Sequence, residues 1–282
     1  MPVCVKDPCG VLCILVTYIS VFYADYVVIQ WVVLQTMRYS LWGAFNVVLF
    51  NTIIFLLAMA HMKAVCSDPG IVPLPQSRLD FSDIHTGSQV SLQLEDWEVC
   101  TRCETYRPPR AHHCRICKRC IRKMDHHCPW INNCVGEQNQ KYFIQFLIYV
   151  SVLSGYAILL VVSSWLGDCP HCSEEVLVKQ NRILHSVILV LESTLFGIFV
   201  GAILVDQIQA ILTDETGVEQ VQSMRMKGML MERRPKRPRY TLMAEVCGRG
   251  HPLLWLLPCV SAPSPSRNSS SSPGGTLHQY EV

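Results

Sequence analysis

The chain has 282 residues, half of them hydrophobic and only 16% charged, with a formal net charge of +2. A length that would suit one or two soluble domains is at odds with that balance, and four apolar runs each reach the ~20 residues a bilayer core requires. The net charge selects no partner. Fifteen cysteines would fit a disulfide framework in a small secreted domain, but no charged start with an A-x-A end marks a cleavable signal peptide, which argues against that class.

Residues 1–10 form a short polar lead with Cys4 and Cys9, either of which could carry an acyl chain beside a membrane or stay a free thiol. The first span is expected over residues 11–34 as an uncleaved helix. It contains Asp25, an ionisable residue whose cost at membrane depth favours an inward hydrogen-bonding role. A turn at 35–40 leads to a second span over 41–62, with Trp31 and Trp42 placed as interfacial anchors.

Residues 63–142 form the large loop, and its centre dominates the chain. The stretch from Cys100 to Cys134 reads CTRCETYRPPRAHHCRICKRCIRKMDHHCPWINNC, with seven cysteines and four histidines in thirty-five residues. Paired C-x2-C elements followed by further Cys/His positions are a zinc signature in a reducing compartment, because two thiolates of one tight turn can face one ion. Two closed Cys3His sites would use six cysteines and two histidines. One cysteine and two histidines are then left over. A spare thiol beside an imidazole is a nucleophile candidate, and Asp125-His126-His127-Cys128 offers that arrangement with a carboxylate to orient a ring. A purely structural zinc module is the competing reading, and it has no need of the spare group.

This stretch, with Pro129-Trp130 and Asn132-Asn133-Cys134-Val135-Gly136, resembles the cysteine-rich domain of the DHHC protein S-acyltransferases. The resemblance implies a ligand pairing in which Cys100, Cys103, His113 and Cys120 hold one zinc ion and Cys114, Cys117, His127 and Cys134 the other. It implies Cys128 as nucleophile, His126 as its base and Asp125 as the orienter of His126. Asp68-Pro69-Gly70 matches a short motif the family carries after its second span. Arg107 and Arg110 match basic family positions near the coenzyme A headgroup, so both are candidates for its phosphates. The zinc domain itself is expected over about 98–142 as short hairpins, with zinc supplying much of its folding free energy.

The third span is expected over 143–166 and the fourth over about 183–205; the membrane pair together occupies 143–205. The resemblance places Leu153, 25 residues after the nucleophile, at the far end of a cavity for the acyl chain. Cys169-Pro170-His171-Cys172 between the spans has no second pair nearby, so a disulfide or idle thiols are expected there. His185 and Glu192, at i and i+7, share one helical face and are expected to line the bundle.

Residues 206–282 form the tail. Thr216 and Glu219 match the family's T-T-x-E motif, with Gly217 in place of the second Thr. The family also has an aromatic-and-Asn motif that packs the tail on the catalytic domain; at 240–248 the aromatic, Tyr240, is present and no Asn accompanies it. Residues 224–240 are basic and Met-rich, suited to anionic headgroups or to solvent. The apolar run 251–258 is too short to span. From about 261 the tail is Ser/Pro/Gly-rich and is expected to be disordered. Tyr280-Glu281-Val282 presents a hydrophobic end that suits a PDZ domain.

The loop of residues 63–141 holds eleven Lys/Arg and the tail after Val205 nine, against one and two in the other loops. The positive-inside rule puts the zinc domain and both termini in the cytosol. The expected fold class is therefore an all-α integral membrane protein: four transmembrane helices, with a small zinc-bound cysteine-rich domain inserted between helices 2 and 3. The expected function is palmitoyl transfer from acyl-CoA, through an acyl-Cys128 intermediate, to membrane-proximal cysteines of other proteins. Two structural zinc ions, acyl-CoA as co-substrate and the lipid bilayer complete the expectation, and nucleic acid is excluded because the spans hold the basic patch at a membrane. The motif context resembles a Golgi-resident subgroup, so a Golgi or ER membrane is expected. The alternative is a catalytically weak zinc scaffold of the same family.

Overall fold

The computed structural model describes residues 7–74, 97–167, 175–225 and 237–259. Cys4, the Cys169-to-Cys172 motif and Tyr280-Glu281-Val282 lie outside them. Helix α1 (Pro8–Val27) starts where its first-turn proline needs no amide partner and the Asp7 carboxylate accepts from the Cys9 amide at 3.2 Å. It continues through a π-helical turn, Val28–Val33, into α2 (Leu34–Thr36). Helix α3 (Leu41–Cys66) is capped by Ser40, whose hydroxyl accepts from the Trp42 amide at 3.1 Å. Helices α4 (Gln140–Leu166) and α5 (Val176–Thr213) complete the bundle.

Four helical runs of 29, 26, 27 and 38 residues are long and apolar enough to cross a membrane. At 1.5 Å per residue each exceeds the ~30 Å hydrocarbon core. Leu12, Ile19, Phe22, Leu159, Leu195 and Ile198 point outward and exposed, while Val27, Phe50, Leu57, Ala60, Ala157 and Leu189 meet inside. Asp25 turns to the neighbouring helix and accepts from Asn51 at 3.1 Å. Helix α3 runs to Cys66 and α5 to Thr213, beyond the ends at 62 and 205 that apolar periodicity suggests. A polar continuation keeps the helical hydrogen bonds after hydrophobicity stops, and in α5 this extension reaches the zinc domain.

That domain consists of three antiparallel two-stranded hairpins: β1 (Glu98–Cys100) with β2 (Thr105–Arg107), β3 (His112–Cys114) with β4 (Arg119–Ile121), and β5 (His126–Cys128) with β6 (Asn133–Val135). It is locked to the end of α3 by polar side chains. The Asn133 amide donates to the carbonyls of Ala64, Val65 and Ser67 at 3.2, 3.2 and 2.9 Å, satisfying the orphan acceptors of the helix end. His61, fully buried on α3, meets the Trp130 carbonyl through Nε2 at 3.0 Å and Tyr18 through Nδ1 at 3.1 Å. The Asp68-Pro69-Gly70 motif forms a turn in which Asp68 accepts from the Gly70 and Ile71 amides, both at 2.8 Å. Its outgoing strand bonds to β4, with the Arg122 amide donating to Gly70 and the Val72 amide to Cys120 at 2.8 Å each.

The tail docks although it lacks the Asn of the family motif. Helix α7 (Arg239–Cys247) buries Leu242 against Ile144 and Ile211. The 3-10 turn Pro252–Leu256 offers its carbonyls to donors on the membrane helices. Gln145 donates to the Trp255 carbonyl at 2.7 Å, Lys63 to the Pro258 carbonyl at 2.6 Å, and the Tyr149 hydroxyl to the Leu256 carbonyl. Trp255 closes the unit with a bond to the Gly248 carbonyl at 2.8 Å. Under this seat the Cys247 thiol is buried, and burial pushes it up to about 11.

The double substitution Gln145→Leu, Tyr149→Phe should release the tail. Each lost bond strands a carbonyl at a cost of ~1–3 kcal/mol, so maleimide labelling of Cys247, slow in the wild type, should accelerate at least tenfold. Peptide mapping by mass spectrometry reads this, and an unchanged rate would show that the apolar face of α7 alone holds the tail.

Candidate active site

The ligand atoms of Cys100, Cys103, His113 and Cys120 lie within 4.8 Å of one another, and so do those of Cys114, Cys117, His127 and Cys134. The spacings fit a tetrahedral ion. Zinc with Zn–S about 2.3 Å and Zn–N about 2.0 Å has ligand–ligand edges of about 3.5–3.8 Å. Here His113 Nδ1 is 3.7 Å from Cys100 Sγ and 3.1 Å from Cys103 Sγ, and Cys120 Sγ is 3.8 Å from Cys103 Sγ. In the second cluster His127 Nδ1 lies 3.8, 3.4 and 3.6 Å from the sulfurs of Cys114, Cys117 and Cys134. Burial and the neighbouring sulfurs push the Cys120 thiol up, and hydrogen bonds with Cys114 and Cys117 push Cys134 up. Ionising three such thiols together requires a cation among them, so these are two Cys3His zinc-binding clusters.

The local backbone explains how each knuckle forms. Glu104 follows Cys103 and Lys118 follows Cys117 with left-handed φ of 48° and 53°, which folds the chain back so that both thiols of each C-x2-C face inward. Strand pleating does the rest. Adjacent residues of a strand point to opposite faces, so β5 sends His127 to the zinc cluster while His126 and Cys128 share the other face.

On that face, His126 Nδ1 meets Asp125 Oδ2 at 2.7 Å, with Cys128 two residues along the strand on the same side. Burial works against a charged ring, but the bond to Asp125 and the neighbouring Cys128 sulfur outweigh it and push His126 up to about 9. Asp125 is buried and accepts two further bonds. Gln207, on the extension of α5, donates to Oδ2 at 2.7 Å, and the Gly217 amide donates to Oδ1 at 2.5 Å. Burial raises the Asp125 carboxyl, yet these donors, His126 first, hold it below the usual range.

Gly217 opens α6 (Gly217–Arg225), and the chain around it forms a capping box. Thr216 Oγ1 accepts from the Glu219 amide at 3.4 Å, and Glu219 accepts from the Thr216 amide at 2.8 Å. The T-x-x-E pattern is thus a helix start that aims its N-terminus at Asp125, where a negative charge is favoured. A Cβ on Gly217 would lie 2.9 Å from Asp125 Oδ1, so glycine permits this close approach.

Arg110 takes a different part from the one expected of it. Its guanidinium bonds Glu219 at 2.8 and 2.9 Å and Asp214 at 2.9 Å, clamping the capping box onto the zinc domain. Arg107 pairs with Glu98, and its Nε is buried without a partner among the described residues.

Cys128, 6% exposed, opens into a cavity between the membrane helices. Leu153 lines it with Phe146, Leu147 and Val200. Gln207 was invisible to sequence reasoning, since it lies just past the apolar run of the fourth span. The capping-box spacing was readable; its target was not.

Gln207→Met keeps the side-chain length and removes one charge-assisted bond, worth ~1.5–3 kcal/mol. Alkylation of the Cys128 thiol by iodoacetamide should slow roughly tenfold while both zinc ions stay bound, as followed by mass spectrometry and metal analysis. A wild-type rate would relieve Gln207 of any part in holding Asp125.

Residues 93–224 match the family model described as DHHC palmitoyltransferase. Human palmitoyltransferase ZDHHC3 is 38% identical over 264 residues, covering 90% of this chain and 82% of that protein. Mouse palmitoyltransferase ZDHHC7 is 37% identical over 263 residues, 91% and 80% of the two chains. A probable protein S-acyltransferase 15 of Arabidopsis thaliana is 36% identical over 148 residues, covering 50% and 55%. With the zinc clusters, the Asp-His-His-Cys strand and four membrane helices arranged as described, the chain belongs to the DHHC palmitoyltransferase family.

Proposed function

We propose that this chain is a protein S-palmitoyltransferase that works by a two-step thioester exchange through Cys128. One observation carries the reading: Cys128 sits where a cavity between membrane helices meets a His126–Asp125 pair. In the first step the proton of the Cys128–His126 pair sits on His126, whose ring is pushed up to about 9, and the Cys128 thiolate attacks the acyl-CoA carbonyl. The bond to the coenzyme A sulfur breaks, and that sulfur leaves with the proton from His126. In the second step His126 deprotonates an incoming protein cysteine, whose thiolate takes the acyl group and returns Cys128. Asp125 fixes the ring orientation throughout. Both steps exchange one thioester for another, so positioning supplies much of the acceleration.

The apolar lining of the cavity suits an acyl chain, with Leu153 beside it. The uncommitted Nε of Arg107 supports it as a donor to coenzyme A phosphates. The clamp that Arg110 makes supports a positioning role instead. Bound zinc supplies the fold of the domain that presents β5. The loop and tail basic residues support a cytosolic face for the site, and the likeness to ZDHHC3 and ZDHHC7 supports a Golgi membrane.

Cys128→Ser should abolish the hydroxylamine-sensitive acyl label while leaving zinc near two ions per chain. Cys103→Ser should lose both activity and metal, since a structural site contributes ~10 kcal/mol or more to such a domain. Loss of an ion in Cys128→Ser would instead make Cys128 a ligand. For Arg107→Ala, a KM for palmitoyl-CoA raised about tenfold with kcat nearly unchanged is expected; an unaltered KM would remove Arg107 from the coenzyme site.

A further inference from the structure

The cavity that begins at Cys128 is apolar along most of its wall and polar at its far end. From Ile203, close to Gln207 on the cytosolic extension of α5, to Glu192 the helix covers about 16 Å at 1.5 Å per residue. That depth is comparable with the reach of a palmitoyl chain anchored on Cys128. Glu192 lines the cavity there, beside Ser20 and Ser193. Its carboxyl oxygen Oε2 is buried and has no hydrogen-bond partner among the described residues. The next polar groups towards the opposite membrane face are already engaged: the Tyr23 hydroxyl meets His185 Nδ1 at 3.0 Å, and Trp31 stacks on the His185 ring.

An ionisable group at membrane depth is costly and persists where it has a task. An uncommitted carboxyl oxygen costs more still when an alkyl chain covers it, because burial without a hydrogen bond is penalised and any water on it must leave. A methyl end that stops short of Glu192 meets only apolar wall. One that reaches it must desolvate the carboxyl.

We infer that Glu192 is the polar floor of the acyl cavity and a specificity-determining residue that limits acyl-chain length by the desolvation it demands, in addition to any steric limit at Leu153. The inference rests on the acyl-cavity reading above and extends it to a residue on the fourth span. Its physical content is that polarity, rather than size, sets the limit.

The test is competition between myristoyl-, palmitoyl- and stearoyl-CoA for acylation of Cys128 in the purified full chain in lipid nanodiscs, with the acyl-enzyme species resolved by mass spectrometry. Glu192→Met preserves the length of the side chain and removes its polarity. Its stearoyl-to-palmitoyl ratio should rise about tenfold, the lower end of what one extra hydrophobic contact gives a pocket. Glu192→Gln preserves both length and polarity, and its ratio should stay within twofold of wild type. Leu153→Ser serves as the steric control. An unchanged ratio in Glu192→Met while Leu153→Ser moves it would overturn the polar floor and leave the cavity reading intact. An equal shift in Met and Gln variants would also overturn it, because a packing change would then explain both. If the Met variant fails to fold, Glu192→Leu, apolar and similar in volume, should likewise raise the stearoyl ratio, and an unchanged ratio would count against the inference. A wild type that forms no acyl-Cys128 would defeat the transfer reading itself, and this inference with it.

Discussion

Everything at this site converges on one carboxylate. Asp125 receives a ring nitrogen from its own strand, an amide side chain from the end of the fourth membrane helix and a backbone amide from the start of the tail helix. These donors come from three segments far apart in the chain, so the His126 ring is oriented only when zinc domain, bundle and tail are assembled together. A buried carboxylate with fewer partners would be costly and would tilt towards its neutral form, losing its hold on His126. The site therefore reports the integrity of the whole fold.

The membrane supplies the second constraint. Because the spans face hydrocarbon, they cannot drive docking of the zinc domain by hydrophobic contact alone, and polar side chains at the helix ends take over. Asn133 caps α3, His61 holds the Trp130 carbonyl, and Gln145, Tyr149 and Lys63 receive the tail carbonyls. The same logic accounts for a tail that docks without the family's Asn: what the seat requires is donors for exposed carbonyls, and the membrane helices provide them.

How much of this was legible in the sequence depends on range. Cys100 to Cys134 announced its metal chemistry because ligand spacing is local, and the four spans announced themselves because hydropathy is summed over a long window. The remainder of the ligand count singled out Cys128 for the same reason. Gln207 and the clamp of Arg110 on Asp214 and Glu219 were not legible, since they join residues about a hundred positions apart or more or lie past the end of a periodic pattern. Arg110 in particular carried a charge that suited a phosphate equally well, and only the fold shows that carboxylates reach it first. Glu192 was read as lining the bundle, which it does, but its free oxygen is visible only in three dimensions.

Strand β3 carries a consequence for metal supply. His113 and Cys114 are consecutive, and pleating sends one to each zinc cluster, so a single strand is gripped from both faces. Cys117 and Cys120, on the same hairpin, are divided between the clusters in the same way. Withdrawal of one ion frees a strand that the other ion needs held in place, and the two occupancies rise and fall as a pair. A cell running short of zinc would then contain fewer working enzymes and few half-loaded ones, so scarcity would be felt as a change in copy number.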